Sequence, residues 1–112
     1  MKVGALSEKA IHSAVLAHWT ALGVPGTLLA TIPNMRAAGQ AGLTKGLPDL
    51  LCIGPQGVGF IELKTLTGAP SKAQLHILGI CERWGVPWAI SHGRDEPIAV
   101  LERWGLVRRA AG

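Results

Sequence analysis

The sequence predicts an α/β domain: a mixed four-stranded sheet flanked by helices. Three observations carry this. Apolar residues recur at helical spacing in three segments and at strand spacing in four, in the order α-β-β-β-α-β-α. A Gly54-Pro55-Gln56-Gly57 turn joins two apolar runs as an antiparallel hairpin. The last strand follows a helix, so it returns by a crossover and can pair in parallel.

The first helix starts after Ser7, an N-cap residue, and runs to Leu22, with Gly23 as its stop. Ile11, Val15, His18 and Leu22 form its mostly apolar stripe, and Glu8 sits in the first turn, neighbouring Ile11 and His12 on the helix surface. Thr27 to Ile32 reads as a strand closed by Pro33-Asn34. Residues 36–47 hold three glycines, two basic residues and no acid, the composition of a mobile loop. Asp49 to Ile53 and Val58 to Lys64 make the hairpin, and Thr65 to Pro70 is a second loop. Ser71 with Gln74 is a capping box opening a helix that ends near Trp84 before Gly85; Leu75, Ile77, Leu78, Cys81 and Trp84 give it a broad apolar side. Pro87 to Ser91 is the fourth strand. Asp95 or Glu96 caps a last helix with Pro97 at its start, ending near Gly105, and Val107 to Gly112 reads as a frayed basic tail.

At 112 residues, 48% of them hydrophobic, the chain suits one domain with a real core, taken as residues 1–112. A formal charge of +4 favours a polyanionic partner without specifying one. Cys52 and Cys81 lack zinc-site spacing and read as buried free thiols. No apolar run approaches the ~20 residues of a membrane span, and the N-terminus does not look like a signal peptide, so a soluble, cytoplasmic protein is expected.

The chemistry sits at the hairpin. Strand periodicity puts Ile61 and Leu63 toward the core and Glu62 and Lys64 side by side on the opposite surface, near the end of the sheet. Asp49 opens the partner strand after Pro48, so it meets Glu62 to Lys64 across the ladder. Two carboxylates and the Leu63 carbonyl are hard oxygen donors suited to a divalent cation such as Mg²⁺ or Mn²⁺, and Lys64 is placed to orient or deprotonate a water. The same residues also make an ordinary surface salt bridge, worth ~0–1 kcal/mol when exposed. Arg36, Lys45 and Lys72 flank the hairpin and are candidate contacts to DNA phosphates, or plain solvated charge. His12, His18, His76 and His92 lack metal spacing and read as core-edge or surface residues, with His92, after the last strand, the least easily set aside. Trp19, Trp84, Trp88 and Trp104 suit a core or dimer contact better than base stacking.

Pro48-Asp49 followed by Glu62-Leu63-Lys64 in this α-β-β-β-α-β order resembles the PD-(D/E)xK nuclease superfamily, whose core is restriction-endonuclease-like. More closely, Gly46-Leu47-Pro48-Asp49-Leu50, then Phe60-Ile61-Glu62-Leu63-Lys64-Thr65, then Ser71-x-x-Gln74, resemble the stand-alone phage and bacterial VRR-NUC (virus-type replication-repair nuclease) domains. Ile32-Pro33-Asn34 and the glycine-rich loop after it match too, and the resemblance spans Glu8 to about Asp95. It implies a Mg²⁺- or Mn²⁺-dependent DNA endonuclease, a homodimer acting on branched DNA such as four-way junctions or flaps. Asp49 and Glu62 would be metal ligands and Lys64 the catalytic lysine. Glu8 would complete the acidic site, and Gln74 would join it near the lysine. Without the resemblance, Glu8 is simply a favourable charge at a helix N-terminus and Gln74 a capping residue. A non-catalytic nucleic-acid-binding module on the same fold and an archaeal-type Holliday-junction resolvase are the alternatives.

Overall fold

Helix α1 (Glu8–Leu22) begins where the Ser7 hydroxyl accepts the Ala10 N–H at 3.1 Å, and ends where the Gly23 N–H donates to the Trp19 carbonyl. The structure, a computed structural model, describes residues 6–33 and 44–109. Ile11 and Val15 on α1 are fully buried, whereas Leu22 is exposed, against the predicted stripe. The last turn of α1 meets the chain's C-terminal segment instead of the sheet: the Arg108 N–H donates to the Leu22 carbonyl and Gly23 bridges Val107.

Strand β1 (Leu28–Thr31) pairs antiparallel with β2 (Leu50–Gly54), and β2 pairs antiparallel with β3 (Gly57–Lys64). Pro55-Gln56 is the two-residue loop between Gly54 and Gly57, and Gly57 takes φ 91°, a conformation that costs an L side chain strain. Helix α2 (Lys72–Arg83) then carries the chain back so that β4 (Trp88–His92) lies parallel to β3, and helix α3 (Asp95–Arg103) follows. The sheet order is β1-β2-β3-β4, a mixed sheet with flanking helices, as the element order predicts. Among the described residues no helix is long and apolar enough to cross a membrane.

One face of the sheet supplies Leu29, Leu50, Cys52, Ile61 and Leu63 to a core closed by Ile11 and Val15 of α1, by Val100 and Leu101 of α3, and by Leu106 and Val107. Each such aliphatic side chain contributes roughly 1.5–3 kcal/mol by leaving water. Cys52 and Cys81 are buried free thiols, and desolvation pushes the Cys52 thiol up to about 12. Helix α2 lies over the opposite face. Its buried row is Gln74, Leu78 and Cys81, while Leu75 and Trp84, expected on the apolar side, face solvent, Trp84 with 72% of its surface exposed. Leu75 is the residue after Gln74, about 100° further around the axis, and Trp84 is the C-cap beyond the last turn, so the two flank the buried row on opposite sides and the sheet covers neither.

Of the segment expected to fray, Val107 is buried and the Arg108 N–H is bonded to Leu22, while residues 110–112 lie outside the described residues. Leu106 is fully buried and the Val24 N–H donates to its carbonyl at 2.8 Å, so residues 106–108 close the core beside the end of α1. The N-terminus of α3 also departs from expectation: Arg94 holds the N-cap position without a side-chain bond, and the Glu96 carboxylate accepts the His92 N–H instead. Asp95 and Glu96 still favour the first turn through the helix dipole. The sequence-predicted loop positions 36–43, Arg36 among them, lie outside the described residues. Leu106→Ala is expected to lower unfolding free energy by about 2–5 kcal/mol in urea denaturation; a loss below about 0.5 kcal/mol would show a dispensable tail.

Candidate active site

The end of the hairpin is built by a mismatch in strand length. Strand β2 starts at Leu50, paired with Ile61, whereas β3 continues to Lys64. The Leu63 N–H therefore has no β2 carbonyl to meet. Asp49, one residue before the strand, supplies the acceptor: its Oδ2 takes the Leu63 N–H at 2.7 Å. Buried Pro48 precedes it, and the Asp49 carbonyl accepts the Ile32 N–H from the end of β1. The carboxylate is thus held beside Glu62 by backbone on both sides, where the sequence places it.

Glu62 and Lys64 are not on an open surface. Glu62 is 1% exposed and Lys64 8%, because the first turn of α2 covers the face that strand periodicity assigns them. Glu62 Oε2 accepts the Gln74 Nε2–H at 2.8 Å and stands 3.4 Å from Lys64 Nζ. Glu62 Oε1 is buried with no partner. A buried acceptor left unpaired costs about 1–3 kcal/mol, so this atom is out of place unless something else meets it. Burial pushes the Glu62 carboxyl up to about 8, Asp49 beside it adds to the rise by its charge and by a side-chain hydrogen bond to the protonated acid, and Lys64 opposes it.

Gln74 serves the cap and the site at once. Its Oε1 accepts the Ser71 N–H at 2.8 Å, and its own N–H donates to Ser71 Oγ at 3.1 Å. With the oxygen end of the amide committed to the cap, the NH₂ end points to Glu62. The capping box thereby fixes how Gln74 meets the carboxylate.

A cleft of about 190 Å³ opens beside Asp49, lined by Glu8, Lys9, His12, Asp49 and Leu63. Glu8 and Leu63 are thus brought to the cleft with Asp49. Among the described residues no three His, Cys, Asp or Glu side chains converge tightly enough to form a metal cluster by themselves. Asp49 joins two groups of oxygen donors: it stands beside Glu62, which does not line this cleft, and it lines the cleft with Leu63 and exposed Glu8. The sequence gives Lys9 no role and reads His12 as a core-edge or surface residue; His12 stands one turn after Glu8 and so shares its face, the only signal that points it to this cleft. Two wider clefts, one at Glu82, Pro87, Trp88 and Trp104 and one between α1 and α3 at His18 and Arg94, share no residue with this one.

Lys45 and Lys72 are both exposed. Gly46 at φ 89° packs so closely on Ala73 that an added Cβ would stand 2.5 Å from its carbonyl, which sets the Lys45 turn against the start of α2. His92 pairs with Lys64 in the β3–β4 register, and its Nε2 lies 3.1 Å from the Gly68 carbonyl, tying the loop after β3 to β4.

No family model matches the chain, and no curated protein does. Solved structures do. A VRR_NUC domain protein superposes with a TM-score of 0.77 at 19% identity, covering 91% of this chain and 90% of that one. A VRR_NUC domain superposes with a TM-score of 0.65 at 20% identity, covering 88% of this chain and 99% of that one. The chain has the fold of the VRR_NUC domains, the α/β architecture with a mixed four-stranded sheet that its sequence predicts.

Proposed function

We propose that the protein is a divalent-metal-dependent DNA endonuclease that hydrolyses phosphodiester bonds, selects branched DNA such as four-way junctions or flaps, and works as a homodimer. The observation that carries the reading is the unpartnered Oε1 of Glu62, buried beside Asp49 while Oε2 is held by Gln74 and Lys64. The donors fit a hard cation, Mg²⁺ or Mn²⁺, which prefers carboxylate and carbonyl oxygens. Asp49 and Glu62 would hold it, with the Leu63 carbonyl and Glu8 as further ligands from the cleft walls. When bound, such an ion lowers the pKa of water and neutralises charge growing on a phosphoryl oxygen.

The chain's own groups do the rest. Asp49 is oriented by the Leu63 N–H, lies against the Glu62 carboxyl and lines the cleft. Lys64 is held by Glu62 Oε2 and orients the attacking water while its ammonium faces the negative charge of the phosphate. Gln74 anchors Glu62 and keeps the lysine and the carboxylate in register. Lys45 and Lys72, both exposed, would contact flanking phosphates, with Arg36 as the third residue in that role. A second copy of the chain would cover the exposed Leu75, Ile80 and Trp84 of α2.

Lys64→Ala and Asp49→Ala are each expected to reduce Mg²⁺- or Mn²⁺-supported cleavage of junction, flap and duplex DNA at least about 100-fold, the range of a lost general acid–base or electrostatic group. Cleavage at wild-type rates by either variant would remove it from the site. The pH dependence of folding follows from Glu62. Its folded pKa, about 8, lies above the ordinary carboxyl value of 4.5. The folded state therefore binds this proton more tightly than the unfolded chain. That contribution to stability is complete below the ordinary value and is lost as pH rises toward and through 8. The Tm of the metal-free protein is expected to fall between about pH 5 and about pH 9, with a visibly flatter profile in Glu62→Gln. Parallel profiles for the two proteins would contradict the assignment.

A further inference from the structure

His12 is the one side chain of the cleft that the proposed metal and lysine chemistry leaves unused while the fold nonetheless fixes its ring. It stands on α1 four residues after Glu8 and lines the cleft with Glu8, Lys9, Asp49 and Leu63. Its Nε2 lies 2.9 Å from Thr31 Oγ1, at the end of β1. Thr31 pairs with Leu50, the residue after Asp49, and the next N–H of the chain, that of Ile32, donates to the Asp49 carbonyl. The imidazole, carried by α1, is therefore tied by one hydrogen bond to the end of β1, which lies beside Asp49. Its Nδ1 has no partner among the described residues. A ring tied at one nitrogen with the other open to a cleft is a positioned hydrogen-bonding group.

We propose that His12 is a substrate-contacting residue that donates from Nδ1 to a phosphate oxygen of the DNA strand lying in the cleft, and that Thr31 is its positioning residue. The inference rests on the nuclease reading only in that it takes DNA as the occupant of the cleft. The tautomer follows: with Nδ1 carrying the proton, neutral Nε2 accepts from the Thr31 hydroxyl. Lys9, beside it in the cleft wall, adds a positive charge on the same side, so α1 presents donors to the strand from across the cleft that Asp49 lines.

The test is binding of a fluorescein-labelled flap oligonucleotide, read by fluorescence anisotropy in EDTA, together with steady-state cleavage in Mn²⁺. His12→Ala is expected to raise Kd about tenfold, the worth of one hydrogen bond to a charged group. KM should rise in parallel, with kcat within about threefold of wild type. Thr31→Val should raise Kd several-fold in the wild-type background and not further in His12→Ala, and Thr31→Ser should restore it; a Thr31→Val effect undiminished in His12→Ala would overturn the positioning role. An unchanged Kd in His12→Ala overturns the proposal, as does a variant that melts earlier yet binds as wild type. Loss of the Mn²⁺-induced rise in Tm in His12→Ala also overturns it, by making the imidazole a metal ligand. Wild-type protein that binds DNA without cleaving it would sink the nuclease reading while leaving the Kd comparison to decide on His12. Wild-type protein that does not bind the oligonucleotide overturns both.

Discussion

A carboxylate buried with only one of its two oxygens satisfied is the constraint on which this structure turns. Glu62 is enclosed by the sheet below and the first turn of α2 above, and its partners, Gln74 and Lys64, both meet the same oxygen. Burial of an acid with an incomplete set of partners raises its proton affinity and costs stability. Folds tolerate such a cost mainly where a ligand recovers it. The adjacent Asp49 sharpens the point, because a second carboxylate at this place makes the metal-free site worse and a cation-bound site better.

The surrounding architecture holds that arrangement by local devices. The extra length of β3 over β2 leaves one N–H for Asp49 to take, which aims the carboxylate without any long-range contact. The capping box commits one end of the Gln74 amide and so presents the other to Glu62. The close approach of Gly46 to Ala73 seats the turn before Pro48-Asp49 against α2, so the two chain segments that carry the site share a packing contact. Together these explain why a hairpin end, ordinarily a wet and mobile place, is here a dry one.

Much of this was legible in the sequence because it is local. Ser7, Gly23 and the Ser71–Gln74 pair mark helix ends through caps only a few residues long, and the Gly54–Gly57 turn sets the hairpin register that brings Asp49 to Glu62. What was not legible depends on what covers a surface. Period-two alternation says that Glu62 and Lys64 share a face, but not that α2 lies over it, so the sequence places the pair on an open surface and the fold buries it. Val107 is an apolar residue beside arginines, indistinguishable from the start of a loose tail until Gly23 is seen to receive it. His12 shows the same limit on a helix: its spacing from Glu8 is visible, whereas Thr31 reaching it from a distant strand is not.

The central claim is that Glu62 Oε1, with Asp49, is left for a divalent cation. Isothermal titration of Mn²⁺ into the protein without DNA tests it most directly, since it needs neither cleavage nor a chosen substrate. The account predicts saturable binding in the wild type that is abolished in both Glu62→Gln and Asp49→Asn, two isosteric changes that remove charge without removing volume. Mn²⁺ binding of equal affinity in all three proteins, or none in the wild type, would contradict it.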